Sequence, residues 1–272
     1  MQLGVNVPNF GPGTDPGVLR EWARIVEGLG FDLLMVSDHV AVTPDVAEQY
    51  PEPFYEPFTA LSWLAGVTTE LRLGTSVLVM PYRHPLLVAR MAANLDRISD
   101  GRLVLGVGVG WARQEFEALG VPFTRRGRLT EDYLAALRDA WHEESDGPTP
   151  SVPIWVGGNS ATAVRRAVRF GDAWHPLRNT MPWLRSAVAN HSLPGFAPRI
   201  ELRLTTEPVD DPDRLAGVGT IEQILEDLDE LRRLGADTVV LDPYHEDPEE
   251  TRRPHVAWQA LTAVATHWRT RS

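Results

Sequence analysis

Two titratable side chains follow directly on an apolar run near the start of the chain. Residues 33–36 read Leu-Leu-Met-Val, and Ser37, Asp38 and His39 come next. An imidazole takes up or releases a proton near neutral pH, and a neighbouring carboxylate can set its tautomer or raise its pKa. The residues therefore suggest acid–base chemistry by His39 with Asp38 as its partner. A His39 that only hydrogen-bonds at the rim of a core is the alternative.

Glycine interrupts two later apolar runs, where a ligand or a neighbouring strand could approach the backbone closely. In "LRLGTSVLVM" the interruption is residues 74–76, which predicts a bulge or a close backbone approach to a ligand. In "LVLGVGVGW" the alternating glycines Gly106, Gly108 and Gly110 would leave one face bare for a flat ring. Tight packing in a narrow barrel is the alternative. The glycine spacing does not match the dinucleotide-binding fingerprint.

A third glycine-containing stretch, "WVGGNS", runs from an apolar segment into a helical pattern. Gly157 and Gly158 let the backbone turn, and Asn159 or Ser160 can cap the helix. The free N–H groups at such a helix start suit a phosphate. A simple capped turn is the alternative, but together with the glycine face this stretch favours a flat, phosphorylated cofactor.

A metal centre is the main rival interpretation of the polar residues. His39, His175, His245 and Asp242 all fall near the ends of predicted strands, and such residues bind metals in many hydrolases. However, the first strand supplies Asn6 and no paired histidines. We therefore predict that the protein has no metal site.

Alternating strands and helices would position these residues. The predicted strands are residues 3–7, 32–36, 71–79, 103–109, 154–156, 173–175, 200–206 and 238–241. The predicted helices are residues 16–29, 57–68, 85–99, 128–141, 160–170, 182–191, 220–234 and 256–268. Eight such units predict an α/β protein, a (β/α)8 TIM barrel in a single domain over residues 1–272. An open doubly wound sheet, or a domain linker at "SDGPTPS", is the alternative.

A barrel would bring the polar residues together, because its active site lies at the carboxyl ends of the strands. Asn6, Asp38 and His39, and residues 157–160 would then surround one mouth.

Composition excludes several classes of function. The formal net charge of −11 argues against a nucleic-acid partner. No apolar run approaches about 20 residues and the start lacks signal-peptide features, so we expect a cytoplasmic protein without membrane association. The chain has no cysteine and no lysine, which excludes disulfides, thiolate chemistry, Schiff-base catalysis and a Walker-type nucleotide site.

Three stretches resemble the bacterial luciferase-like superfamily. They are "VSDHV", "RLGTSVLVMPYRHPLLVARMAANLDRISDGRLVLGVGVGWARQEFEALGVPFTRRGRLTEDYLAALRDAW" and "VPIWVGGNSATAVRRA". The resemblance is closest to the actinobacterial branch that uses coenzyme F420, a 5-deazaflavin, and it covers residues 3–176. It implies a (β/α)8 barrel, usually a homodimer, that performs two-electron redox chemistry on a small organic molecule. A separate enzyme would reduce the cofactor.

The resemblance also implies a site. It places a non-proline cis peptide at Ser76–Val77 against the deazaflavin ring, and it places Asp38 and His39 beside the reactive carbon. Hydride would pass between C5 and the substrate while His39 moves the matching proton and Asp38 orients His39 or the cofactor. The residues expected to bind the cofactor are Asn6, Asp38, Ser76, Val77, Gly108, Val109, Gly110, Gly157, Gly158, Asn159 and Ser160.

The chain departs from the family pattern at two places. Where some deazaflavin enzymes carry a glutamate after the fourth strand, this chain has Trp111, and Glu115 follows one helical turn later. The segment before "VPIWVGG" is also shorter than usual. An FMN monooxygenase supplied by a separate reductase, or a barrel that binds flavin without turnover, is the alternative function. The substrate does not carry over.

Two helices contain more apolar residues than one buried stripe requires. They are "EPFTALSWLAGVTT" at residues 56–69 and "PLLVARMAANL" at residues 85–95. The excess predicts a two-fold homodimer through these helices. A broad barrel-facing stripe with ordinary surface alanines is the alternative.

Overall fold

A computed structural model describes residues 1–143 and 152–270. Eight parallel strands form a barrel, with their bounds at Gln2–Asn6, Leu33–Val36, Arg72–Thr75, Leu103–Gly108, Ile154–Gly157, Ala173–His175, Arg199–Glu201 and Thr238–Asp242. Here they are numbered first to eighth in chain order. Neighbouring strands are hydrogen-bonded in the order sixth, fifth, fourth, third, second, first, eighth and seventh. Single bridges at Trp174–Phe196 and Leu177–Arg199 connect the sixth and seventh strands. The predicted barrel is confirmed, and the open doubly wound sheet is wrong.

Helices follow each strand and cover the barrel. The eight long helices are Pro16–Gly28, Pro57–Ala65, Pro85–Ile98, Arg126–Glu143, Ala161–Phe170, Met181–Ala189, Ile221–Arg233 and Pro254–Arg269. Each predicted helix is found, with ends that differ by at most three residues. Their starts follow local rules: Asp15 caps the first helix, which opens on Pro16, and Thr220 forms a capping box with Gln223. Shorter helices span Pro44–Ala47 and Arg113–Ala118, with 3-10 turns at Met80–Tyr82, Phe123–Arg125 and Pro248–Arg252.

The predicted seventh strand at residues 200–206 is wrong at its end. The strand stops at Glu201, and Arg203–Leu204 pairs with Val218–Gly219 in a separate two-stranded sheet. The backbone N–H of Arg203 bonds the carbonyl of Gly217, so the chain leaves the barrel here. The "SDGPTPS" segment lies outside the described residues, and the assignment of a single domain stays a prediction.

Alternation along the strands divides the core into two layers. Leu34 and Val36 face outward and join the large cluster that packs against the helices. Leu33 and Met35 face inward and form a smaller apolar cluster with Val104, Trp155, Ala173, Ala197 and Val240. Above this apolar floor, toward the carboxyl ends of the strands, the barrel interior becomes polar. Among the described residues, no helix combines the length and apolar character needed to cross a membrane.

Candidate active site

A cavity of about 560 Å³ opens at the carboxyl ends of the strands. It lies where the sequence predicts the barrel mouth, and its size is typical of a small-molecule site. The predicted site residues that line it are Asp38, His39, Ser76, Val77, Gly108, Val109, Gly110, Gly157, Gly158 and Asn159. Asn6 and Ser160 lie outside its lining, Asn6 inside the barrel and Ser160 at a helix cap.

His39 is held by a glutamate that comes 76 residues later in the chain. Its Nδ1 lies 2.6 Å from Glu115 Oε2, and both side chains are buried. A carboxylate can only accept, so Nδ1 donates to Glu115 and Nε2 is the ring atom left for another partner. Within the described residues no group hydrogen-bonds Nε2, and the ring lines the cavity. His39 is therefore oriented for proton exchange with a ligand.

Glu115 is itself fixed from several sides. Tyr82 donates its hydroxyl to Oε2 at 2.9 Å, and the N–H groups of Val40 and Ala41 donate to Oε1 at 2.6 and 3.0 Å. Burial by itself raises the pKa of Glu115, but the bonds from His39, Val40 and Ala41 outweigh it and hold that pKa below its ordinary value. An ionised, immobile carboxylate therefore faces the imidazole.

Asp38 is not the partner of His39, and that part of the sequence interpretation is wrong. Arg83 donates to both of its carboxylate oxygens at 2.8 Å, and the N–H of Val79 donates to Oδ2 at 2.9 Å. Adjacent side chains diverge along an extended backbone, so Asp38 points to Val79 and Arg83 while His39 points to Glu115. Orientation of the cofactor by Asp38 stays a prediction.

The sequence assigns Glu115 no role, because the family pattern expects the acid at position 111. It stands in the helix Arg113–Ala118, one turn beyond Trp111. The available signal was a glutamate on the buried side of a six-residue helix beside Phe116. An acid at such a position needs a buried partner, and His39 was the unpaired candidate.

Aromatic rings surround His39 on the cavity side. Tyr50 stacks on the imidazole at 5.4 Å, and Phe54 and Trp111 meet it edge-on at 5.4 and 5.8 Å. Trp111 is 48% exposed although it is a large apolar side chain. The pair of His39 and Glu115 thus lies in an apolar environment that is open to solvent on one side, which suits an organic ligand.

Between the third strand and a short strand Leu78–Val79, which also pairs with the fourth strand, the chain bulges into the mouth at Ser76–Val77. The Ser76–Val77 peptide bond is cis, as the resemblance implied. Gly74 pairs with Val104, and Leu78 pairs with Val107. The four residue steps from Gly74 to Leu78 therefore lie opposite only three steps of the fourth strand, which confirms the predicted bulge.

The glycine face of the fourth strand is not bare. A Cβ on Gly106 would lie 1.9 Å from the carbonyl oxygen of Thr75, and one on Gly108 would lie 2.5 Å from Val77 Cγ2. Gly157 of the fifth strand likewise faces Val77, at 2.9 Å. The prediction that this face is bare for a flat ring is wrong, because the bulge occupies the space beside Gly106 and Gly108. Tight packing, the alternative, is found there.

A polar network supports the bulge from inside the barrel. Ser76 donates its hydroxyl to His175 Nε2 at 2.9 Å, and Arg199 donates to the Ser76 carbonyl at 2.9 Å. Arg199 also bonds Asp242, and Asn6 donates weakly to Asp242 at 3.4 Å. Burial lowers the pKa of His175 to about 4, so its ring is neutral and can accept from Ser76.

The four residues considered for a metal have separate partners. His39 bonds Glu115, His175 bonds Ser76, His245 bonds Glu250, and Asp242 bonds Arg199. Over residues 1–143 and 152–270, no group of three or more His, Cys, Asp or Glu side chains is arranged to hold a metal ion.

The opposite side of the mouth contains a helix start. Ser160 caps the helix Ala161–Phe170 by accepting from the N–H of Ala163 at 3.1 Å, as one of the two predicted caps. Asn159 instead bonds both the N–H and the carbonyl of Leu177. The first N–H groups of a helix have no intrahelical partner, so this helix start, which follows the lining residues Gly158 and Asn159, leaves donors for an anion.

Over residues 1–199 the chain matches the family described as luciferase-like monooxygenase. The chain belongs to this family. The bulge, the glycine strand and the capped turn all lie within the matched residues, so the resemblance seen in the sequence is confirmed.

Curated relatives of the chain include mycobacterial proteins. An uncharacterised protein of Mycobacterium tuberculosis is 31% identical over 180 residues, covering 56% of this chain and 62% of the relative. A phthiodiolone/phenolphthiodiolone dimycocerosates ketoreductase of Mycobacterium bovis is 31% identical over 178 residues, covering 57% and 46%. The chain thus spans less than two thirds of the length of these relatives.

Solved structures of low identity share the luciferase-like fold. The monooxygenase RslO1 from Streptomyces bottropensis superposes with a TM-score of 0.75 at 19% identity, covering 98% of both chains. An F420-dependent secondary alcohol dehydrogenase with an F420-acetone adduct gives 0.71 at 17%, covering 97% and 98%. The FMN-bound oxygenating part of a Pseudomonas putida Baeyer-Villiger monooxygenase gives 0.72 at 15%, covering 97% of both. The fold is that of luciferase-like oxidoreductases and monooxygenases.

Proposed function

We propose that the chain is an F420-dependent oxidoreductase that interconverts an organic carbonyl compound and its alcohol. The observation that carries the proposal is the His39–Glu115 pair, which opens onto a mouth backed by the Ser76–Val77 bulge. Carbonyl reduction needs one proton for each hydride. A held imidazole supplies this proton at a fixed place.

The cavity suits a phosphorylated tricyclic ring. Val77 presents a rigid apolar wall, because Gly108 and Gly157 enclose its side chain and the bonds to Ser76 fix its backbone. The start of the helix Ala161–Phe170 would receive the phosphate. When bound there, the deazaflavin supplies hydride chemistry at its C5.

His39 would act from its Nε2. In alcohol oxidation the neutral ring accepts the hydroxyl proton at Nε2, while Nδ1 remains bonded to Glu115. In carbonyl reduction the imidazolium returns that proton to the oxygen. Glu115 stabilises the charged ring in both directions, as a positioning residue whose negative charge is already in place.

Among the structural neighbours, the F420-dependent alcohol dehydrogenase and the FMN-bound monooxygenase represent the two cofactor choices. The ketoreductase among the relatives supports a carbonyl substrate. An FMN monooxygenase supplied by a separate reductase stays the second candidate, favoured by the apolar, solvent-open ring cluster around His39.

Cofactor titration tests the proposal. We expect oxidised F420 to quench protein fluorescence at lower concentration than FMN. Reduced F420 mixed anaerobically with simple ketones should be reoxidised by the protein but not by the His39→Ala variant. FMN binding at least tenfold tighter, roughly 1.4 kcal/mol, together with oxygen-dependent oxidation of reduced FMN, would transfer the assignment to the monooxygenase.

A further inference from the structure

A second cavity lies beside the mouth and contains none of the residues assigned to the redox site. It has a volume of about 370 Å³ and lies between the chain after the seventh and eighth strands and the helix Pro254–Arg269. Its walls are largely apolar, with Trp22, Leu202, Tyr244, Ala257 and Ala260 among them. Trp22, Leu202 and Tyr244 are almost completely buried, so these walls belong to the packed body of the protein.

Two arginines at this cavity lack a charged partner. Arg203 and Arg253 both line it, and within the described residues neither side chain makes an ion pair or a hydrogen bond. Arg178, Arg199 and Arg252 nearby are all paired with carboxylates. In a chain of net charge −11, two unneutralised guanidinium groups on one cavity are a local excess of positive charge.

The carboxylate of Glu250 offsets one of these two positive charges, so the lining keeps a net positive charge. Glu250 is the carboxylate in its lining, and both of its oxygens are engaged by His245, one by Nδ1 at 2.9 Å and one by the N–H at 2.8 Å. The Nε2 of His245 lies 3.2 Å from the Leu202 carbonyl. The hydroxyl of Tyr244 donates to the carbonyl of Gln49.

Apolar side chains at the same cavity are left in water. Leu204 follows Arg203 and is 41% exposed, and Val256 lies on the facing helix and is 55% exposed. Each is one to three residues from one of the unpaired arginines. The cavity therefore combines a buried apolar interior with a rim that is both apolar and positively charged.

Tyr244, which lines this cavity, contacts a ring that lines the mouth. Tyr244 packs against Phe10 at 4.9 Å and against Tyr50 at 5.9 Å, and Tyr50 is the ring that stacks on His39. A ligand in the second cavity would touch Tyr244 without occupying the space of the cofactor.

We propose that the second cavity binds a small anionic amphiphile, with its apolar chain inside and its carboxylate head between Arg203 and Arg253. The planar guanidinium group of an arginine can donate two parallel hydrogen bonds to one carboxylate. Binding of the ligand's apolar chain would remove the cavity walls and the exposed Leu204 and Val256 from water, which stabilises the complex. This site is independent of the cofactor assignment.

Calorimetric titration of the cofactor-free protein with decanoate tests the charge requirement, and decanol is the uncharged probe of equal chain length. We expect decanoate to bind the unmodified protein and to bind Arg203→Gln/Arg253→Gln at least tenfold more weakly, with decanol binding changed less than twofold. Arg233→Gln, which removes an exposed arginine on another helix, is the matched control and should bind as the unmodified protein does. Equal decanoate affinity in the double variant, or equal weakening in the control, would overturn the proposal.

The location is tested separately. Ala257→Leu should fill the cavity and weaken decanoate and decanol alike, with an unchanged melting temperature as the sign that the fold is intact. Saturating F420 or FMN should leave decanoate binding within twofold. Displacement of decanoate by either cofactor would place it in the mouth and reject the second site, whether or not the cofactor proposal holds.

Discussion

Glu115 turns His39 from a polar residue at a strand end into a fixed acid–base group. A free imidazole interconverts two tautomers and rotates, so only part of its population would present the correct nitrogen. The 2.6 Å bond to Glu115 and the ring stack with Tyr50 remove that freedom. The negative charge of Glu115 would also stabilise the charged ring, which is the form that would donate a proton in the proposed carbonyl reduction.

Substitutions at the pair should separate positioning from binding. We expect His39→Ala to lower turnover about 10²- to 10⁴-fold with little change in cofactor affinity. Glu115→Gln should lower turnover less and shift its pH profile, because the negative charge beside the ring is lost. Steady-state rates from pH 5 to 9 and fluorescence titration measure both effects.

Asp38→Asn is the matched control for the acid–base pair. It removes the carboxylate next to His39 in sequence, but that carboxylate binds Arg83 and the backbone of Val79. We expect a lower melting temperature and an unshifted pH profile. A profile shifted as in Glu115→Gln would contradict the assignment of Glu115 as the partner.

The raised pKa of Glu201 should make the free energy of unfolding depend on pH. Burial, with Asp242 beside it, raises the pKa of Glu201 from 4.5 to about 7. Between these values the folded chain keeps a proton that the unfolded chain releases, so the free energy of unfolding falls as pH rises from 4.5 to about 7. His175 acts in the opposite sense below pH 6.5, because its pKa is lowered from 6.5 to about 4.

The contribution of Glu201 can be isolated by difference. Urea unfolding of Glu201→Gln and of the unmodified protein at pH 5 and pH 8 should show the variant gaining in relative stability at the higher pH. Glu117→Gln, at an exposed position, should show no such gain. A pH-independent difference for Glu201→Gln would mean that Glu201 stays ionised throughout.

At the scale of elements, the third and fourth strands form one unit. The bulge brings the Thr75 carbonyl against Gly106 and the Val77 side chain against Gly108. Any side chain on the fourth strand at these places would push the bulge outward and deform the cavity wall. The glycines are thus required by strand packing, and the ligand site follows from it.

Gly106→Ala should therefore destabilise the fold strongly. Its Cβ would lie 1.9 Å from a backbone oxygen that cannot rotate away, so we expect a loss of about 3 kcal/mol or more. Gly28→Ala is the control, because no atom lies within 4 Å of its Cβ and alanine favours a helix. In urea unfolding, Gly28→Ala should be at least as stable as the unmodified protein.

The helix after the fifth strand allows a direct test of phosphate binding. Ala161→Pro removes the first N–H of the helix, and Ser160 before it is already extended at ψ 154°, as a residue before proline must be. We expect about tenfold weaker binding of F420 or FMN with an unchanged melting temperature. Ala161→Ser keeps the N–H and should bind normally. Equal cofactor affinity in the two variants would place the phosphate elsewhere.

At the scale of the whole molecule, most of the apolar excess in the two helices predicted to form a dimer is buried within the protomer. Phe58, Leu61 and Leu64 of Pro57–Ala65 belong to the core. Exposed apolar surface remains at Leu86 and Leu87, 55% and 51% exposed, at the start of Pro85–Ile98. We propose that this end of the helix forms the two-fold contact.

Light scattering tests the dimer. The unmodified protein should have twice the protomer mass at micromolar concentration, and Leu86→Glu/Leu87→Glu should have the protomer mass because it places like charges across the axis. Val168→Glu, at another exposed apolar position of 53%, should remain a dimer. A protomer mass for the unmodified protein would rule out the dimer.

The sequence by itself determined what depends on neighbours along the chain. Alternating apolar patterns, proline at helix starts and residues such as Ser160 gave the eight strands and helices, and hence the mouth at which His39 lies. These features are local, because burial periodicity and capping involve residues within a few positions of each other. The bulge was also visible, since glycine and small polar residues interrupt an apolar strand.

Only the tertiary structure decided which polar groups meet. Asp38 and His39 are adjacent in sequence but face different partners, Arg83 at 2.8 Å and Glu115 at 2.6 Å. The glycine face of the fourth strand appeared bare, because the sequence could not show that the bulge after the neighbouring third strand packs against it. Such pairings join residues 31 to 76 positions apart, and the paths of the loops after the strands fix them. No local pattern encodes those paths, because they result from packing of the whole barrel.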